Sequence, residues 1–358
     1  MKKYEFTGET KEYKGRILHR IKALRNFRNV IKGDLGGWIE KESNLSHEGI
    51  CWVYDEAMVF DNAQVRDNVA IRHKAKIYGN ARIYGDARIC NNVQIYEEAK
   101  VYEYAEIYDN VQIYGKTRIC GKSHILSNVR IYDRVTICGN ARIYGNAQIY
   151  ENACIWNKAK VYGNAKIYGN AMIYDEAEVF DNAKVYDFAN IYGNALVFEN
   201  AQVYNIARVY GNAKICGNAQ VFGEAYVKYG ELTKDIKEDL VQYIACSLGV
   251  YPINGKYILY KRVNKITEGK YVSLFNPDFI YEDGKIAEVK NYNSDFENSC
   301  SSGIHCSTPF YWGGGNTLIA VEVKVEDIIT CMAGKVRAKK VKVLGEVGGK
   351  NALYKTRR

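Results

Sequence analysis

From Val53 to Val227 every sixth residue is valine or isoleucine, thirty positions in succession with no insertion or deletion. Four residues after each stands a compact side chain. It is mostly alanine (Ala57, Ala81, Ala147, Ala213), with Val69, Val93, Val111, Thr117, Ser123, Val129 and Val135 as the exceptions. A period of six matches neither the 3.6 of a helix nor a plain two-residue alternation. It predicts a short strand and a corner, repeated. The aliphatic residue points inward, its two neighbours point outward, and the alanine returns inward where space is tight. Corners such as Gly79-Asn80, Gly145-Asn146 and Gly211-Asn212 supply residues that tolerate left-handed backbone angles.

Before the repeat, "IKGDLGGWIEKE" reads as turn and strand, with Trp38 available to cover the first coil. After it, "LTKDIKEDLVQYIACSLG" predicts a helix with Thr233 as N-cap, Ile236, Leu240 and Ile244 on one face, and Gly249 as terminator. The six-residue period is absent from 251–347. There "KYILYKRV", "YVSLF", "KIAEVKNY", "NTLIAVEVKV" and "KVRAKKVKVLGEV" predict strands, and Glu282-Asp283-Gly284 predicts a hairpin turn.

The aliphatic-then-small spacing resembles the hexapeptide repeat of left-handed parallel β-helices, in which three hexapeptides close one triangular coil. The fold expected is an all-β solenoid, a left-handed parallel β-helix of about ten coils. A capping helix and a small, mostly β, α+β C-terminal domain follow. The expected organisation is an N-terminal cap at 1–52, the repeat at 53–228, helix and linker at 229–250, a β-rich domain at 251–347 and a basic tail at 348–358. The opening segments Gly36-Gly37-Trp38 and Asn44-Leu45-Ser46 resemble those of bacterial and phage hexapeptide proteins of the YdcK type, called transferase-like for their fold. The segment "SSGIHCSTPFYWGGGN" resembles a signature of C-terminal domains attached to phage repeat proteins.

Eighteen residues per coil put Tyr96 over Tyr78 and beneath Tyr114. One face then carries Phe60, Tyr78, Tyr96, Tyr114, Tyr132, Tyr150, Tyr168, Tyr186, Tyr204 and Phe222 as a continuous aromatic ladder. Lys76, Arg130, Lys166 and Lys184 stand beside it among glutamines. One corner stacks Asn92, Asn110, Asn128, Asn146, Asn164, Asn182, Asn200 and Asn218, an amide ladder with a structural role. The aromatic strip suits packing against a second copy, as dimer or trimer, or against another protein.

Charge narrows the partners. The net charge is +9, with 11 basic and 7 acidic residues in 1–50 and 10 basic against 4 acidic in 301–358. The nearly neutral repeat offers little electrostatic footprint for nucleic acid, whereas the tail ending "KTRR" has one. No run of 18 apolar residues predicts a membrane span, and "MKKYEFTGETKEYKGR" lacks the apolar core of a signal peptide. Ten cysteines without a short-spaced framework suggest reduced thiols and a cytoplasmic setting.

Catalytic signals are sparse. Hexapeptide acyltransferases use a histidine near loops that leave the coil, and the related zinc enzymes use three histidines. Here the repeat holds only His73 and His124, which do not stack, and no loop interrupts it. The expectation is a non-catalytic scaffold with no cofactor and no metal. The alternative is a nucleotide-binding or ADP-ribosyl-transfer-like module at 251–347, whose remote analogy would use Arg262, His305, Ser307 and Glu322.

Overall fold

The computed structural model describes residues 2–348; the remainder of the basic tail, including Lys355 to Arg358, lies outside the described residues. The chain divides into two compact units, the first ending at Asn200 and the second beginning at Ala201.

The first unit is a parallel β-solenoid built from two-residue strands six residues apart, such as Lys76–Ile77, Arg82–Ile83 and Arg88–Ile89. Each pairs in parallel with the strand eighteen residues away: Lys76–Ile77 with Gln94–Ile95, Gln94–Ile95 with Gln112–Ile113. Three parallel sheets result, one per side of the coil. Every Val or Ile of the period from Ile71 to Val197 is fully buried, as is every alanine at the companion position. Where Thr117 and Ser123 replace alanine, their hydroxyls donate to the Tyr114 and Cys120 carbonyls at 2.7 and 2.5 Å, so neither hydroxyl is orphaned.

The corners differ from the sequence expectation in one respect. The left-handed residue is the one before the corner asparagine, and carboxylates occupy it as often as glycine: Asp55, Asp61, Asp67, Glu97, Glu103, Asp109, Asp133 and Glu151 all have positive φ. Their reason for being there is hydrogen bonding. At several corners the backbone N–H at this position donates to the carboxylate eighteen residues earlier. Gly85 N donates to Asp67 Oδ2 at 2.9 Å, Gly115 N to Glu97 Oε2 at 2.9 Å and Gly121 N to Glu103 Oε2 at 2.7 Å.

The N-terminal segment guards one open end. Tyr4–Tyr13 pairs antiparallel with Arg16–Ala23, which pairs antiparallel with Leu35–Ile39; that last strand runs parallel to Met58–Val59. Gly36 and Gly37 lie flat on the first coil: a Cβ on Gly37 would stand 2.5 Å from the Ala57 oxygen. Trp38 packs with Leu18, Met58 and Phe60. The outermost strand is polar and bulged between Phe6 and Thr10, both devices that discourage edge-to-edge pairing.

The second unit opens with further two-residue strands of the same period, from Gln202–Val203 to Tyr226–Val227. The helix is shorter than expected, Leu240–Leu248, with Asp239 rather than Thr233 as N-cap; the Asp239 carboxylate accepts from Gln242 N at 3.0 Å. Residues 231–232 instead form one more strand, paired with Lys214–Ile215. Gly249 ends the helix in the left-handed conformation, as read.

Beyond it lies a six-stranded sheet. Its order is Ile280–Glu282, Lys270–Val272, Lys256–Thr267, Thr317–Lys324, Lys340–Glu346 and Ile286–Glu288. The expected hairpin at 282–284 is a turn but not a hairpin. Its two strands sit at opposite ends of the sheet, and Gly284 N donates to Val343 O while Asp283 N donates to Gly269 O. The stretch "KVRAKKVKVLGEV" is two strands in two sheets. Lys335–Ala338 joins Ile304–Cys306 and Ile328–Met332 in a small antiparallel sheet, and the chain switches sheets at Lys339, whose N–H donates to Asp327 O. Arg337 within it is fully buried rather than presented to a partner, its guanidinium donating to the Asn293, Ser302 and Asp295 carbonyls.

Cys120 and Cys138 form a disulfide, so the expectation of reduced thiols fails for this pair. Eighteen residues apart, they occupy adjacent rungs with Cα atoms 4.6 Å apart, within bonding reach. Among the described residues no helix is long and apolar enough to cross a membrane.

Candidate functional site

Two regions carry the chemistry: the aromatic face of the first unit and a cavity in the second.

On the first unit, Tyr96 lies over Tyr78 and beneath Tyr114, each step 4.8 Å between ring centroids with interplanar angles of 6° and 7°. The stack continues through Tyr132, Tyr150, Tyr168 and Tyr186 at 4.9 to 5.1 Å. Parallel stacking half-buries each ring, which is why none of these tyrosines is either fully open or closed. Burial, ahead of the neighbouring hydroxyls and carboxylates, pushes the Tyr78 phenol up to about 12. The lower end of the expected face is covered: Phe60 is 3% exposed, with Tyr13 edge-on at 5.7 Å. In the second unit Tyr204 and Phe222 stack at 5.4 Å, and Phe222 is likewise buried, against Phe296 at 6.2 Å.

Opposite charges flank the open tyrosines. Lys76, Arg130, Lys166 and Lys184 occupy the strand position two residues before a tyrosine, on rungs shared with Gln94, Gln112 and Gln148. Lys76 is engaged by the cap, donating to the Tyr13 hydroxyl at 3.0 Å. Directly after the tyrosines come Glu97, Asp133 and Glu151, which are exposed and spend one carboxylate oxygen on a corner N–H. The ladder is thus a hydrophobic strip between a basic and an acidic rail, and the acidic one was missed in the sequence because it occupies corner positions. The asparagine ladder joins side chain to side chain from Asn92 through Asn110, Asn128, Asn146 and Asn164 at 3.0 to 3.1 Å.

The four C-terminal candidates are not assembled into one site. Arg262 and Glu322 lie on the same long strand pair, but Arg262 is opposite Leu318 and Glu322 opposite Ile258, four residues further along. Glu322 pairs with Lys256 at 3.0 Å. Ser307 is buried and donates to Gly334 O at 2.6 Å. Cys306 is buried and its thiol is pushed up to about 12 by burial, which removes it as a nucleophile. Only His305 lines an opening, a cavity of about 480 Å³ shared with Lys261, Tyr281, Cys300, Trp312 and Lys335. Burial, then the charges of Lys261, Lys335 and Arg337, push the His305 imidazole down to about 4. At the rim Lys335 Nζ donates to Cys300 Sγ at 2.8 Å, which lowers that thiol's pKa. Neither Lys261 nor Cys300 was visible as a site residue, because a lysine in a strand and a cysteine in a loop carry no spacing signal.

His73 and His124 belong to the first unit. The His73 ring accepts from Asn91 N at 3.3 Å as an ordinary corner side chain, and His124 sits 3.5 Å from Glu106. Among the described residues no three His, Cys, Asp or Glu side chains are grouped so as to hold a metal.

Comparison with known proteins agrees with the fold. A profile of the YdcK beta solenoid repeat matches residues 75–91, 81–97, 137–151 and 189–205. A 64-residue stretch is 38% identical to the Escherichia coli (strain K12) protein named "Uncharacterized acetyltransferase YdcK", covering 16% of this chain. The match spans 20% of that protein's length. The chain carries YdcK-type β-solenoid repeats.

Proposed function

We propose that this protein is a non-catalytic, self-associating scaffold in which two copies lay their Tyr78–Tyr186 ladders against one another with their coils running in the same direction. The observation that carries this reading is the pairing of rails across the tyrosines. A two-fold axis parallel to the solenoid sets the basic rail of Arg130, Lys166 and Lys184 against the acidic rail of Glu97, Asp133 and Glu151 on the other copy. A two-fold axis across the solenoid sets like charges together. Complementary charge selects the first arrangement and steers encounter. The equal rung spacing of two identical chains lets every ring meet a ring. With both rails included the strip is roughly 35 Å by about 20 Å, or about 700 Å² per copy, close to a standard interface.

The acetyltransferase name belongs to the relative, and the similarity lies in the repeat; a shared solenoid supports shared architecture rather than shared activity.

Sedimentation velocity across a concentration range tests the proposal. The wild type is expected to dimerise, more weakly in high salt, and the Tyr132→Arg variant to remain monomeric. Parallel pairing sets each residue across from itself, so single Tyr96→Cys and Tyr168→Cys variants should each cross-link to their own copies. A strict monomer at high concentration overturns the reading.

A further inference from the structure

The cavity beside His305 contains an amine whose surroundings are incomplete. Lys261 is 6% exposed, and its ammonium donates to the His305 carbonyl at 3.1 Å. It lies 5.6 Å from the Trp312 ring centroid and 5.8 Å from that of Tyr281. An ammonium has three donors, and the carbonyl takes one. The rings supply a diffuse partner to the charge. The cavity lining contains no carboxylate among the described residues. A buried cation of this kind is costly until an anion joins it.

The other polar groups around the opening have the same character. His305 Nε2 is buried and has no hydrogen-bond partner. Lys335 adds a second cation at the rim. The apolar part of the lining is aromatic, with Phe275, Phe279, Tyr281 and Trp312. Trp312 is fixed by its indole N–H, which donates to Tyr260 O at 3.1 Å. The loop that closes one side, Ser301-Ser302-Gly303, is pinned from beneath by Arg337: the guanidinium holds the Ser302 carbonyl, and a Cβ on Gly303 would meet Arg337 Cγ at 2.7 Å. The walls are therefore set by hydrogen bonds and packing before any ligand arrives. The volume, about 480 Å³, falls within the range of small-molecule sites.

We propose that this cavity binds a small anionic ligand with a flat aromatic body, its carboxylate or phosphate held by Lys261 with support from Lys335 and His305, and its ring lodged among Tyr281, Phe279 and Trp312. The site is independent of the tyrosine ladder and stands whether or not the protein self-associates. Charge supplies selectivity and the rings supply contact area, so a neutral analogue of the same shape keeps the second and loses the first.

Isothermal titration of the full chain with 2-naphthoate, 1-naphthyl phosphate and neutral 2-naphthamide tests this. At least one anion is expected to bind ten-fold or more tightly than the amide, and which anion wins distinguishes a carboxylate from a phosphate site. The Lys261→Met variant keeps the apolar stem and should bring anion and amide within about two-fold. Should that variant fail to fold, as judged by circular dichroism, Lys335→Gln at the rim serves in its place, with a smaller loss expected. On the wild type, a bound anion should also slow alkylation of Cys300 by iodoacetamide. Equal binding of amide and anions, absence of saturable binding by both anions, or an anion preference that survives every folded variant overturns the proposal.

Discussion

The Asp109 carboxylate joins three successive coils: one oxygen accepts from the Asn91 side-chain amide at 2.9 Å, and the other from the Ser127 backbone N–H at 3.0 Å. Asp109 itself is left-handed, with φ of 65°. Alanine at this position keeps the strain and loses both bonds, so Asp109→Ala should cost roughly 2–4 kcal/mol. Asp109→Gly relieves the backbone and should cost less than alanine. Chemical denaturation of the two variants measures the order; glycine falling below alanine would contradict the role assigned to the carboxylate and its backbone.

The disulfide between Cys120 and Cys138 closes a loop of a single coil. In the chain-entropy treatment a loop of this size contributes about 3 kcal/mol, as an upper figure for a bond whose rungs are already held by sheet pairing. Cys120→Ser with Cys138→Ser should therefore lose at most that amount and stay folded. Peptide mapping without reductant should recover the two cysteines on one linked pair.

Tyrosine ionisation should report burial of the phenols along the solenoid. Tyr78 and Tyr108 are both pushed up to about 12, burial being the largest cause in each. A phenol whose folded pKa lies above its unfolded value of about 10 holds its proton more tightly when folded. Its stabilising contribution is complete below pH 10 and is lost as pH rises toward 12. Titration at 295 nm should show a fraction of the phenols ionising late, and the Tyr78→Phe variant should remove one of them.

His305 titrates in the opposite sense. Its folded pKa, pushed down to about 4 chiefly by burial, lies below the unfolded value of about 6.5. The unfolded chain takes up this proton first on acidification, so the group costs stability as pH falls from 6.5 toward 4. Proton NMR should find the His305 ring still neutral at pH 5.5, with its chemical shifts moving only as the pH approaches 4.

The order of the solenoid was legible in the sequence because each rung depends only on residues a fixed distance away. The six-residue period of Val and Ile is a local demand of the coil interior, and stacking at eighteen follows by addition. The same arithmetic gave the tyrosine and asparagine ladders; the linkage of Cys120 to Cys138, also eighteen residues apart, was not anticipated. Left-handed glycines such as Gly79 and Gly145 were legible at the corners; the carboxylates that share the position, such as Asp67 and Glu97, were not, because what they bind is a backbone N–H one coil away.

The second unit resisted the same treatment. Thr233 and Asp239 are both acceptable caps by residue type, and only the pairing of residues 231–232 with Lys214–Ile215 removes the first. Arg337 reads as surface charge until three backbone carbonyls enclose it. What the sequence determined by itself was the part of the protein that repeats, since periodic side chains specify periodic burial. What the tertiary structure alone decided was the cavity of Lys261 and His305, because its walls come from segments tens of residues apart whose meeting no local pattern encodes.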